Sequence, residues 1–306
     1  MRYVINVLAM LAVLTAGVFL AAVYGPILEN EQPRSLTLDN PQSLTAETPT
    51  TELRYDQLVR QVAPLSGTTI YVQWADLGQK LVDVGAIDLD KFEAAYRSLS
   101  DEQREILQGD SLDQITFTPD NIQFWTNVLW SLGLTQESKV LGEGLMMQRQ
   151  AEVPLGNYAS TGGWTLGSKP ATELYNSVRL IELTPEQDEM VFRVAENIYR
   201  PCCGNHTAYP DCNHGMAVLG LLELMASQGA SEADLYQAAL TFNSYAFMDS
   251  YISLSAYFAL QGVPWSEIDP SYLLGPDYSS SQGIRQVVAQ VGPIPGAPGQ
   301  GSSCST

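Results

Sequence analysis

From Glu52 onward apolar side chains recur at the three- and four-residue spacing of one helix face, segment after segment. LRYDQLVRQV, WADLGQKLVDVG and LDKFEAAYRSL carry this spacing, and the second stops at Gly85. SDEQREIL opens with Ser100 as N-cap and Gln103 at the capping-box position. TPDNIQFWTNVLWSLG is predicted to start at Thr118-Pro119, to bury Ile122, Trp125, Val128, Leu129 and Leu132, and to stop at Gly133. LTPEQDEMVFRVAENIYR again begins with Thr184-Pro185, and SEADLYQAALTFNSYAF has Ser231 and Asp234 in a capping-box arrangement. NHGMAVLGLLELMASQG is apolar nearly all round, which marks a buried helix. The strand candidates, GTTIYVQW and DQITFT, are short and isolated. The pattern predicts an all-α, or nearly all-α, domain over residues 51 to 285, without an internal repeat.

The two ends break the pattern in different ways. Residues 1 to 25 contain an uncharged apolar run from Tyr3 to Val23, long enough for a helix across a bilayer core. Arg2 precedes it and Glu29 and Glu31 follow, so the basic-residue bias predicts a signal-anchor: a single-pass protein of the cell membrane whose main domain is extracytoplasmic. A cleaved signal peptide is the competing reading, with Ala21 and Ala22 near its cleavage point. Residues 26 to 50 are rich in Pro, Ser and Thr and read as a polar linker. The tail, residues 286 to 306, is rich in Gly, Pro and Ser and is expected to be disordered. Cys304 within it is expected to take no part in the cysteine–histidine cluster at residues 202 to 214.

Charge narrows the partners. With 34 acidic and 15 basic side chains the formal charge is −19, and no basic patch interrupts it, so nucleic acid is excluded as a partner. Gly162 to Lys169 has the look of a phosphate loop, but Ser168 precedes Lys169 and no strand leads in, so it reads as a loop packed on the core. Phe124, Trp125 and Trp130, like Tyr251, Tyr257 and Phe258, sit at helical spacings and read as core.

The chemistry is concentrated in PCCGNHTAYPDCNHG, residues 201 to 215, which holds three of the four cysteines and both histidines. Its spacing is C-C-x2-H-x5-C-x-H: Cys202, Cys203, His206, Cys212 and His214. Thiolate and neutral imidazole are the donors that hold zinc or copper(I), so the window offers four ligands and a spare. Pro201 and Gly204 predict a turn around the cysteine pair, and Asp211 is expected to cap the helix that follows. Cys212 and His214 then meet one ion only if Cys212 sits at or before the first turn. Met216 is a further soft donor one turn on. Two other readings stand beside the metal site: a disulfide or redox dithiol, in which a thiol–disulfide oxidoreductase would use Cys203 and Cys212, and cysteines packed as small apolar residues in a structural or interaction protein. Outside the window no nucleophile, base and orienting group can be assembled, because both histidines lie within it, so the sequence does not argue for an enzyme.

The run IYRPCCGNHTAYPDCNHG, followed by a helix, by Gly229, Ala230, Ser231 and Glu232, and by a second helix, resembles the exported bacterial proteins named for a PCYCGC motif. Pro201, Cys202, Cys203, Gly204, His206 and Cys212 are the matching positions, over about fifty residues. The family's spaced cysteines are here an adjacent pair, and His214 is extra. The resemblance implies export and metal binding. The same run is also similar to the thiol subunit of cytochrome c maturation, without its C-x-x-C, which implies redox chemistry instead.

Overall fold

The computed structural model describes residues 53–109 and 112–298. The apolar run, the linker and Cys304 lie outside the described residues. Among those described, no helix is long and apolar enough to cross a membrane.

The described chain is mostly helical, as the periodicity predicts. Its principal helices are α1 (Tyr55–Val62), α2 (Leu77–Asp83), α3 (Leu89–Tyr96), α4 (Asp101–Gln108), α5 (Ile122–Thr135), α6 (Pro185–Ala195), α7 (Asn213–Ser227), α8 (Glu232–Ala246), α9 (Met248–Leu260) and α10 (Ser281–Val291), joined by loops and single turns. Ser100, Thr184 and Ser231 each close a full capping box, with Gln103, Gln187 and Asp234 as the returning partners. The two strand candidates are not isolated. They pair antiparallel as β1 (Thr68–Ile70) and β2 (Ile115–Phe117), with Thr69 opposite Thr116 and their hydroxyls 2.8 Å apart. Three helices separate them in sequence, which is why neither run announces its partner. α10 continues the helical structure past residue 285, and the segment after it is tied back by the Tyr55 N–H donating to the Pro295 carbonyl at 3.0 Å.

The core is built on α5 against α7. Every residue of α7 from Gly215 to Ala226 is buried, in keeping with its all-round apolar sequence. Gly133 does not stop α5, which runs on to Thr135. Its role is contact: a Cβ on Gly133 would lie 2.1 Å from the Met216 carbonyl oxygen, and one on Gly220 would lie 2.6 Å from that of Leu129. Two glycines let the helix backbones meet. Gly133→Ala is therefore expected to destabilise by about 1–3 kcal/mol through overpacking, read as a lower denaturant midpoint; an unchanged midpoint would contradict the close crossing. At its other end α5 starts from Asn121 rather than Thr118-Pro119, because Thr118 and Asn121 bond reciprocally, side chain to backbone, in a turn ahead of the helix.

The glycine-rich loop packs as a loop. Trp164 is buried and its indole N–H donates to the Ala86 carbonyl, while the Asp88 N–H donates to the Leu166 carbonyl. Phe124, Trp125, Trp130, Tyr251 and Phe258 are all core side chains.

One residue of α7 breaks the apolar pattern. Glu223 is fully buried, and neither carboxyl oxygen makes a hydrogen bond of normal geometry. Burial pushes its pKa well above 4.5, although the Ser138 hydroxyl beside it pulls the other way. The folded protein therefore keeps a proton that the unfolded chain releases as pH rises past about 4.5. Stability must fall as pH rises through that range, until the folded group itself ionises. Glu223→Met removes the proton linkage and the unpaired oxygens, and is expected to stabilise by about 1–3 kcal/mol at neutral pH. Denaturation at pH 4 and pH 7 tests this: the gain must be larger at the higher pH, and an equal gain at both would refute the buried acid.

Candidate metal centre

The cysteine window joins α6 to α7 as a folded-back loop. Tyr199 and His206 form an antiparallel bridge, and the Thr207 N–H donates to the Ile198 carbonyl, so residues 200 to 205 form the tip. The Cys203 N–H bonds the Arg200 carbonyl across the turn predicted at Pro201 and Gly204. The Cys203 carbonyl accepts from the Ser281 N–H and the Tyr199 N–H donates to the Leu274 carbonyl, which fix the loop to the segment leading into α10.

At the start of α7 the N-cap is Cys212, not Asp211. Its Sγ accepts from the Gly215 N–H at 3.4 Å, and it meets the condition of sitting ahead of the first turn. Asp211 is drawn away to a different task. Its Oδ1 accepts from Arg200 at 3.2 Å and its Oδ2 from Asn205 at 2.7 Å.

Arg200 is the residue that sequence reading missed. It has no exposed surface, and its guanidinium donates to Asp211, to Thr207 Oγ1 at 3.2 Å and to Cys203 Sγ at 3.3 Å. A Cβ on Gly215 would lie 2.6 Å from its Cζ, so the absent side chain at Gly215 makes the room for it. The signal available in the sequence was an arginine two residues before a cysteine pair, which periodicity cannot distinguish from a surface charge.

Above the guanidinium the three sulfurs of Cys202, Cys203 and Cys212 lie within 4.8 Å of one another. Cys202 and Cys212 are 3.6 Å apart and none of the three is in a disulfide; Cys202 is exposed and the others are half-buried. Bonds of about 2.3 Å to one ion would set sulfurs about 3.8 to 4.0 Å apart, so a small adjustment suffices. The histidines do not join this cluster. The His206 ring lies edge-on to Tyr199, with Nδ1 buried and unpartnered, and the His214 ring packs on Phe247 with centroids 4.6 Å apart. Burial lowers both imidazole pKa values. Met216 is fully buried in the core.

The three sulfurs differ in how readily they ionise. Hydrogen bonds from Cys202 and Cys203, with help from Arg200 and the Gly215 N–H, hold Cys212 well below the ordinary thiol range despite its burial. Cys202 is raised by its bonds to Cys203 and Cys212. For Cys203 the bond with Cys202 favours the charge, but the bond to Cys212 and burial outweigh it and raise the thiol. Burial opposes the charge on Arg200; Cys212, the other two sulfurs and Asp211 more than restore it. Negative charge is thus most easily held at Cys212, with the Arg200 guanidinium donating to Cys203 beside it.

Comparison with known protein families, with curated proteins and with solved structures finds no match. Two open clefts, of about 520 and 770 Å³, lie away from the sulfurs: one beside β1 and Gln228, the other lined by Ser138, Lys139, Asp188 and Glu189. Neither is lined by a cysteine.

Proposed function

We propose that the protein binds a soft, thiophilic ion such as copper(I) or zinc through Cys202, Cys203 and Cys212, as a sensor, carrier or structural site, in a domain held outside the cytoplasm by its N-terminal segment. The observation that carries this reading is the convergence of three sulfurs within 4.8 Å over a fully buried arginine. Three sulfurs held this close disfavour ionising together, and an ion that bonds all three stabilises the ionised set. The resemblance to the PCYCGC-motif proteins supports the same chemistry. His206 and His214 serve as neighbours of the sulfurs, and either one enters the ligand set only by moving.

A second reading rests on one distance. The 3.6 Å separation of Cys202 and Cys212 is short enough for a disulfide to close with little movement, which favours a redox dithiol built on that pair. Elemental analysis of the protein, purified under reducing conditions from a host that exports it, separates the two. The ion reading predicts one bound ion per chain, lost in Cys212→Ser. A redox dithiol predicts no ion and a reversible loss of two thiols.

A further inference from the structure

The number of donors and the charge of the site together select among thiophilic ions; the inference rests on reading the three sulfurs as an ion site. Among the described residues three donors converge and no fourth joins them. Asp211, the nearest acidic side chain in the loop, already has one carboxyl oxygen on Arg200 and the other on Asn205. His206 is turned to Tyr199 and His214 to Phe247, outside the sulfur cluster. Zinc in a protein site takes four ligands, so here it would need a water as the fourth, on the exposed side at Cys202.

Charge narrows the choice further. Arg200, fully buried, donates to Cys203 Sγ as well as to Asp211, but the two side chains carry opposite charges, so together they add no net charge to the sulfur set. Three thiolates bound to an ion then have no other counter-charge among the contacts of the loop. A monovalent ion leaves the half-buried sulfur set two negative charges in excess, and a divalent ion one. Only a trivalent centre leaves it neutral, and uncompensated charge away from water is costly.

We infer that the three sulfurs are built for a three-coordinate trivalent pnictogen, of which arsenic(III), supplied as neutral arsenious acid, is the representative. Its lone pair occupies the position where zinc would need a fourth ligand, and it faces the open side at Cys202, the exposed member of the three. Loading is a condensation without electron transfer. Three As–O bonds break and three As–S bonds form, and the three hydroxyl groups leave as water with three protons, each from a thiol or, where a thiol is already ionised, from solvent.

The test uses the reduced full chain, which has four thiols, with arsenious acid as the probe. Remaining thiols are counted with an aromatic disulfide, and the adduct is weighed by native mass spectrometry. The expected result is a fall from four reactive thiols to one, with a mass gain of one arsenic atom less three hydrogens. Cys304→Ser assigns the survivor: in that variant three thiols should fall to none with the same gain. An adduct that retains a hydroxyl group, or that leaves two or more thiols free, overturns the inference. Copper(I) run in parallel separates the levels of failure. If copper(I) shields the three thiols and arsenious acid does not, the ion site stands and the pnictogen assignment falls; if neither shields them, both fall.

Discussion

Arg200→Met is expected to lower folding stability by about 3–5 kcal/mol, the usual cost of removing one partner from a buried ion pair. Three groups lose their donor at once: Asp211, Thr207 and Cys203. Asp211 is left half-buried with only Asn205, and its pKa, already raised by burial, rises further. Methionine fills the space but supplies no charge, so the Cys212 thiolate also loses its fixed cation. The variant should therefore show its ultraviolet thiolate absorbance only at higher pH than the parent, in addition to the lower denaturant midpoint. Arg200→Lys keeps the charge without the planar fork and should fall between the two. A stability within about 1 kcal/mol of the parent, with the thiolate absorbance unmoved, would mean that Arg200 is not what holds the sulfurs.

Cys212→Ser is expected to weaken ion binding by at least about 100-fold, more than the loss of a residue that only supports a ligand, while leaving the ion-free fold intact. The reason is positional. Cys212 caps α7 through a 3.4 Å contact from the Gly215 N–H to its sulfur, and a serine hydroxyl is a better acceptor at that position. Without an ion the variant should stay within about 1 kcal/mol of the parent, the better cap offsetting the loss of the Cys212 charge that favours the buried Arg200. With copper(I) present, the parent should gain thermal stability and the variant should not, because binding free energy adds to folding free energy only where the ligand survives. A chelator should reverse the gain in the parent and do nothing to the variant. If the ion-free variant loses clearly more than about 1 kcal/mol, Cys212 is a structural staple and the ion reading loses its main support.

How far the sequence announced this arrangement depends on the range of the interaction. Helices with a capping box, such as those opened by Ser100, Thr184 and Ser231, were legible because the signal lies within four residues. The gathering of Cys202, Cys203 and Cys212 was legible for a similar reason, since they fall in one short window ahead of a buried helix. What was hidden depends on partners far along the chain. Gly133 reads locally as a helix stop, and only α7 laid across it shows that it is a point of contact. β1 and β2 find each other across three helices. Within the window, composition gave histidine and cysteine equal standing as donors. The structure separates them, because the aromatic rings of Tyr199 and Phe247, which no ligand spacing encodes, take up His206 and His214. Asp211 was read as a cap because the cation that claims it, Arg200, is eleven residues earlier and buried.

X-ray absorption at the edge of an ion loaded one per chain tests directly whether Cys202, Cys203 and Cys212 bind one ion together. For copper(I) bound to the reduced protein, the account predicts three sulfur neighbours at about 2.3 Å and none of the multiple-scattering features of an imidazole ring. Fewer than three sulfurs, or a histidine nitrogen in the ligand set, would contradict it.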